Sequence, residues 1–141
     1  MTAVLKSSVK TCHWGFFDAA HPACTTIDSG DEIIIETVSG GPDVLPGAGY
    51  FVPSELLDIH AAGLLGRPGH ILTGPVAVNG AHPGDVLQVD ILDVALRQDW
   101  GYNVIRPLAG TLPYDFDKAR CVTLPLDQAS GLARLPWGDT L

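Results

Sequence analysis

Glycine and proline recur so often along this chain that no stretch is left for a long helix: sixteen Gly and eleven Pro are spread through 141 residues. Glycine weakens a helical backbone and proline interrupts it, whereas both suit turns. The segments between them are short, and several are rich in β-branched residues, which favour a pleated backbone. The pattern predicts a mainly β fold with one short helix, gathered as a jelly-roll-like β-sandwich in a single β-rich domain over residues 1–141. With 46% hydrophobic and 17% charged residues, such a domain can bury a core.

Individual strands follow from local alternation. Residues 8–17 alternate Val9, Thr11 and His13 against Lys10, Cys12 and Trp14, as an early strand does. The turn Asp28-Ser29-Gly30-Asp31 opens a β-branched run from Glu32 to Val38, too short and too β-favouring for a helix. Pro53-Ser54-Glu55 starts the one expected helix, carried by Leu56, Leu57, Ile59, His60 and Ala61 and stopped by Gly63. Residues 69–75 read as turn-dense, followed by the brief apolar segment Val76–Val78 and the turn Asn79-Gly80. Over Val86 to Val94, Val86, Gln88, Asp90 and Leu92 alternate with Leu87, Val89, Ile91 and Asp93, and a strand is expected. It is preceded by Gly84-Asp85, as the earlier run is preceded by Gly30-Asp31, which implies one tight turn used twice. The region from Trp100 to Phe116 interleaves aromatic and turn residues, and residues 119–124 supply a last short strand. The stretch Leu135 to Leu141 brings a Trp and two Leu with no element after them.

Charge and cysteine content narrow the function. Eight Lys plus Arg stand against sixteen Asp plus Glu, a formal charge of -8, which repels a polyanion at every phosphate contact. Nucleic-acid binding is therefore not expected. The apolar runs are too short to span a bilayer, and residues 1–6 lack the basic and apolar regions of a secretory signal. A soluble cytoplasmic protein is the simplest expectation. Cys12, Cys24 and Cys121 are odd in number and lack any C-x-x-C spacing, so they are expected to be reduced thiols.

Chemistry-bearing residues gather near turns. No G-x-S-x-G elbow, H-E-x-x-H helix or P-loop is present. His70 follows Gly69 and precedes Thr73-Gly74-Pro75, where the backbone can approach a ligand and an imidazole can act as base or metal ligand. The plainer reading is a half-buried histidine bonded to a loop carbonyl. His13 and Asp18 flank Trp14-Gly15-Phe16-Phe17, an aromatic surround that suits either a water-poor site or ordinary packing. Asp31 and Asp85 are read as Asx-turn residues, and His21 and His82, each before Pro, as extended turn residues.

Several of these motifs together resemble the acetamidase/formamidase family: Cys12 to Asp18, Ile27 to Asp31, Gly69 to Pro75, Gly80 to Leu87 and Trp100 to Asn103, in that order. The resemblance implies an amidohydrolase that splits formamide, acetamide or a similar short amide into ammonia and carboxylate, on a jelly-roll-like β-sandwich. It places His70, His13 and Asp18 as candidate catalytic groups and Trp14, Thr73 and Gly74 as candidate substrate contacts. A divalent metal ion, zinc or similar, is compatible with such ligands, with no organic cofactor indicated. Position 82 is His where the family usually presents Glu. Family members continue beyond the length of this chain, so a homo-oligomer or a partner chain is expected to supply the remaining half of the site. The alternative is a non-catalytic β-sandwich binding module or a decayed paralogue.

Overall fold

The computed structural model describes residues 2–63 and 69–138. It is mainly β with one short α-helix. Among the described residues nine strands appear in chain order: β1 (Ala3–Leu5), β2 (Cys12–Trp14), β3 (Thr25–Ile27), β4 (Ile33–Ile35), β5 (Ile71–Thr73), β6 (Val76–Val78), β7 (Trp100–Ile105), β8 (Arg120–Asp127) and β9 (Leu132–Ala133). Helix α1 (Ser54–Ala61) lies between β4 and β5. The strands form four small sheets, β1-β4, β2-β5, β3-β6 and β7-β8-β9. Among the described residues no helix is long and apolar enough to cross a membrane.

Contacts within the chain fall into two compact units, one comprising residues up to Gly40 with Pro53–Asp90, the other Gly41–Val52 with residues from Ile91 onward. In the first unit β1 pairs in parallel with β4, Ala3 opposite Ile33, and β3 in parallel with β6, Thr25 opposite Val76. The middle pair, β2 with β5, is antiparallel, with Cys12, His13 and Trp14 opposite Thr73, Leu72 and Ile71. Among the described residues its buried apolar side chains are Leu5, Cys12, Trp14, Val38, Pro53, Leu56 and Ile59. Leu56 and Ile59 are three residues apart and so share one face of α1, while Leu57 is turned outward. Gly63, at φ +67°, ends the helical run.

The second unit is a three-stranded antiparallel sheet to which the segment 41–52 is tied at Phe51. The Phe51 N–H donates to the Asp99 carboxylate at 3.0 Å, and its carbonyl accepts from the Trp100 indole N–H at 2.8 Å. In the β8–β9 turn the Ser130 hydroxyl donates to Asp127 at 2.8 Å, and the Ala129 and Ser130 amides donate to the same carboxylate. These three donors, the Ser130 hydroxyl foremost, hold the Asp127 carboxyl below the ordinary aspartate range. A depressed folded-state pKa stabilises the turn above the ordinary value, and that contribution disappears as pH falls through the folded value. Carbon NMR titration of the Asp127 carboxyl is expected to show this, and Ser130→Ala to bring it back toward the ordinary value.

The sequence expectations hold for β2, β4, α1 and β8, with shorter strands than expected for β2 and β4 and a longer one for β8, and the apolar segment Val76–Val78 is a strand, β6. Ile71–Thr73 and Trp100–Ile105, read as turn-rich, are strands. Val86–Val94 needs the opposite correction, because no strand forms there. A strand exists only through backbone bonds to a neighbour, and among the described residues these amides find none. Trp137 is exposed, and residues 139–141 of the final apolar stretch lie outside the described residues.

The two Gly-Asp turns are the same device, as expected. Asp31 accepts the Asp28 N–H on its carboxylate at 2.8 Å and donates its own N–H to the Asp28 carbonyl at 3.1 Å. Asp85 does the same with His82, again at 2.8 and 3.1 Å. Both aspartates are thus turn-formers.

Candidate functional site

The β2–β5 pair carries the site. Strand alternation turns the buried Cys12 and Trp14 to one side and the half-buried His13 to the other. Past Trp14 the chain turns at Gly15, at φ +81°, and Gly15 donates its N–H to the His70 carbonyl at 3.0 Å. Asp18 then closes a tight turn, accepting the Ala20 N–H on its side chain at 2.8 Å and the His21 N–H on its carbonyl at 3.1 Å. That turn folds His21 back onto His13, with ring centroids 4.4 Å apart and planes 32° apart. Phe16 completes a three-ring cluster, 5.2 Å from His21 and 6.1 Å from His13.

A solvent-open cleft of about 400 Å³ is lined by these three rings together with Trp14, Cys24 and Gly74, among others. The His13 Nε2 lies 3.1 Å from the Phe16 carbonyl. A carbonyl only accepts, so Nε2 carries the proton and the Nδ1 of a neutral His13 keeps its lone pair. The opposite wall is pinned by Gly74, whose N–H donates to the Thr11 carbonyl at 2.8 Å and whose carbonyl accepts from the Cys24 thiol at 3.1 Å. The Nε2 of His21 is buried with no hydrogen-bond partner among the described residues. Such an atom is costly unless something pairs with it.

Of the residues expected to do chemistry, His13 lines the cleft, as do the expected substrate contacts Trp14 and Gly74. Thr73 sits behind it, its hydroxyl 3.5 Å from the Cys12 sulfur. His70 is exposed just before β5 and outside the lining, tied by its backbone to Gly15. Asp18 is likewise outside, where it makes the turn that presents His21. His82 is exposed, its Nδ1–H donating to the Gly80 carbonyl at 2.7 Å. His21, read from sequence as a turn residue, is the histidine that the turn at Asp18 adds to the cleft. Its available signal was the Asp three residues earlier. Among the described residues no three His, Cys, Asp or Glu side chains are grouped so as to hold a metal ion.

The sequence pattern of the acetamidase/formamidase family matches residues 8–121, which contain every cleft residue named above. The chain belongs to the acetamidase/formamidase family. It is similar to the formamidase of Methylophilus methylotrophus, 56% identical over 36 residues that make up 24% of this chain and 9% of that protein. It is also similar to the acetamidase of Mycolicibacterium smegmatis, 32% identical over 93 residues that make up 60% of this chain and 21% of that protein. The matched stretches thus span well under half the length of either family member. No solved structure matches the chain.

Proposed function

We propose that this chain forms one wall of an amidohydrolase site that splits short aliphatic carboxamides into ammonia and carboxylate. The observation that carries the reading is His13, a cleft imidazole whose Nε2–H is fixed by the Phe16 carbonyl. In the proposed step water attacks the amide carbonyl carbon and gives its proton to His13 Nδ1. The C–N bond then breaks as that proton passes to the departing nitrogen, which leaves as ammonia. Phe16 supplies an apolar wall suited to a small uncharged amide.

A divalent metal does not fit these residues as they stand. A catalytic zinc takes three protein ligands, and the described residues bring no such trio together. The His13 step is therefore derived without one. We further propose that the rest of the site comes from polypeptide outside the matched stretch, in a homo-oligomer or a partner chain, and that the protein works in the cytoplasm, where its three free cysteines stay reduced.

Ammonia release from formamide and acetamide, with and without added divalent cation, tests the reading. His13→Asn is expected to lower the rate by about 10²–10⁴-fold, the usual worth of a general base, with the melting temperature little changed. Background release by the unaltered chain under every condition would overturn catalysis by this chain on its own. It would leave the second reading, a binding module, which one observation favours: the cleft lining contains no Asp or Glu. Acetamide bound without turnover is the result expected of such a module.

A further inference from the structure

The same turn launches two extended segments with different outcomes. After Asp31 the chain becomes β4 and pairs with β1, but after Asp85 the residues Val86–Val94 make no strand pairing among the described residues. The side chains left in solvent are large and apolar. Val86 is 95% exposed, Ile91 78%, and Leu87, Val89, Leu92 and Val94 are similarly bare. A β-prone run whose amides and carbonyls make no backbone–backbone bond among the described residues is a template for strand addition. One face carries the apolar Leu87, Val89 and Ile91, and the other sets Val86, Leu92 and Val94 around Gln88 and Asp90.

We propose that Val86–Val94 is a strand whose partner is an extended segment from the part of the acetamidase/formamidase polypeptide outside the stretch that this chain matches. Two observations choose that occupant over a second copy of the chain. An antiparallel self-pair that sets Val89 against Ile91 also sets Asp90 against Asp90, and like charges directly opposite are destabilising. The formal charge of -8 on each copy adds to the repulsion. The matched stretch is only 21% of the M. smegmatis acetamidase, so most of that polypeptide is outside the match and can supply a strand. The chemistry that fits is an alternating apolar segment with Lys or Arg opposite Asp90 and Asp93. The inference rests on family membership and the exposed segment, and is independent of the hydrolytic reading.

Overlapping peptides covering the M. smegmatis acetamidase outside its matched residues provide the test, titrated against the full chain. The expected result is that at least one binds, slows amide hydrogen exchange across Val86–Val94, and carries a basic residue. The double variant Val89→Lys/Ile91→Lys, at exposed positions, is expected to keep its melting temperature and lose roughly tenfold or more in affinity for that peptide, through lost apolar contact and like-charge pairing. The proposal is overturned if no peptide binds, if the double variant binds as well as the unaltered chain, or if Val86–Val94 is already slow to exchange in the free monomer. Slow exchange that grows with chain concentration would make the partner a second copy and overturn it equally.

Discussion

Replacing Trp100 with alanine is expected to destabilise the second unit by about 3–5 kcal/mol, the usual cost of emptying a large aromatic site in a core. Trp100 is 0% exposed, and Val44 is the other buried apolar side chain of its unit among the described residues. So small an interior has few side chains with which to refill the space. The indole also donates to the Phe51 carbonyl, so the substitution releases one of the two bonds holding segment 41–52 at Phe51. Trp100→Phe separates the contributions: it keeps most of the ring volume and loses the N–H, for an expected cost of about 1–3 kcal/mol. Urea unfolding followed by circular dichroism, with amide exchange read on β7 and β8, measures both. Equal losses for the two variants would mean that the hydrogen bond, and not the volume, fixes the segment.

Gly69→Ala is expected to part the end of the β2–β5 pair. Gly69 adopts φ +146°, which side chains with a Cβ rarely adopt, and a Cβ there would meet the Gly15 Cα at 2.7 Å. That atom is backbone and cannot swing aside. Strain of about 1–3 kcal/mol for the dihedral is joined by about 1–3 kcal/mol for the overlap. The observable is thermal unfolding, together with faster exchange of the Gly15 amide that donates to His70. Gly80→Ala is the control, since Gly80 also has a positive φ but nothing within 4 Å of its would-be Cβ. Equal destabilisation by the two substitutions would refute the close approach of Gly69 to Gly15.

What could be read from the sequence was what neighbouring residues decide together. The β-branched run at Ile33–Ile35, the leucine-rich helix over Ser54–Ala61 and the two Gly-Asp turns are local, and each is where the pattern puts it. Pairing is not local. Val86–Val94 has a stronger alternation than Ile71–Thr73, yet only the latter finds a neighbour, because β2 lies opposite it. The site divides in the same way. His13, Trp14 and Gly74 lie in motifs legible as units, and all three line the cleft. His21 joins them through the Asp18 turn and the ring contact with His13, a juxtaposition that no spacing rule names. His70 and Asp18 lie outside the cleft lining, His70 exposed with its carbonyl accepting the Gly15 N–H and Asp18 accepting the turn amides.

The registers of the first unit bear on how the chain is made. Ala3 pairs with Ile33, Cys12 with Thr73 and Thr25 with Val76, so none of these strands is closed by a tight hairpin. Synthesis runs from the amino terminus, and β2 and β3 emerge from the ribosome long before β5 and β6 exist. Until Thr73 has been added, two of the three sheets in this unit lack a complete second strand, and Gly74 has not yet joined His13 at the cleft. Loop closure over such separations slows folding. A ribosome stalled before β5 would therefore hold a nascent chain with its Cys12–Trp14 strand unpaired, a natural client for a chaperone.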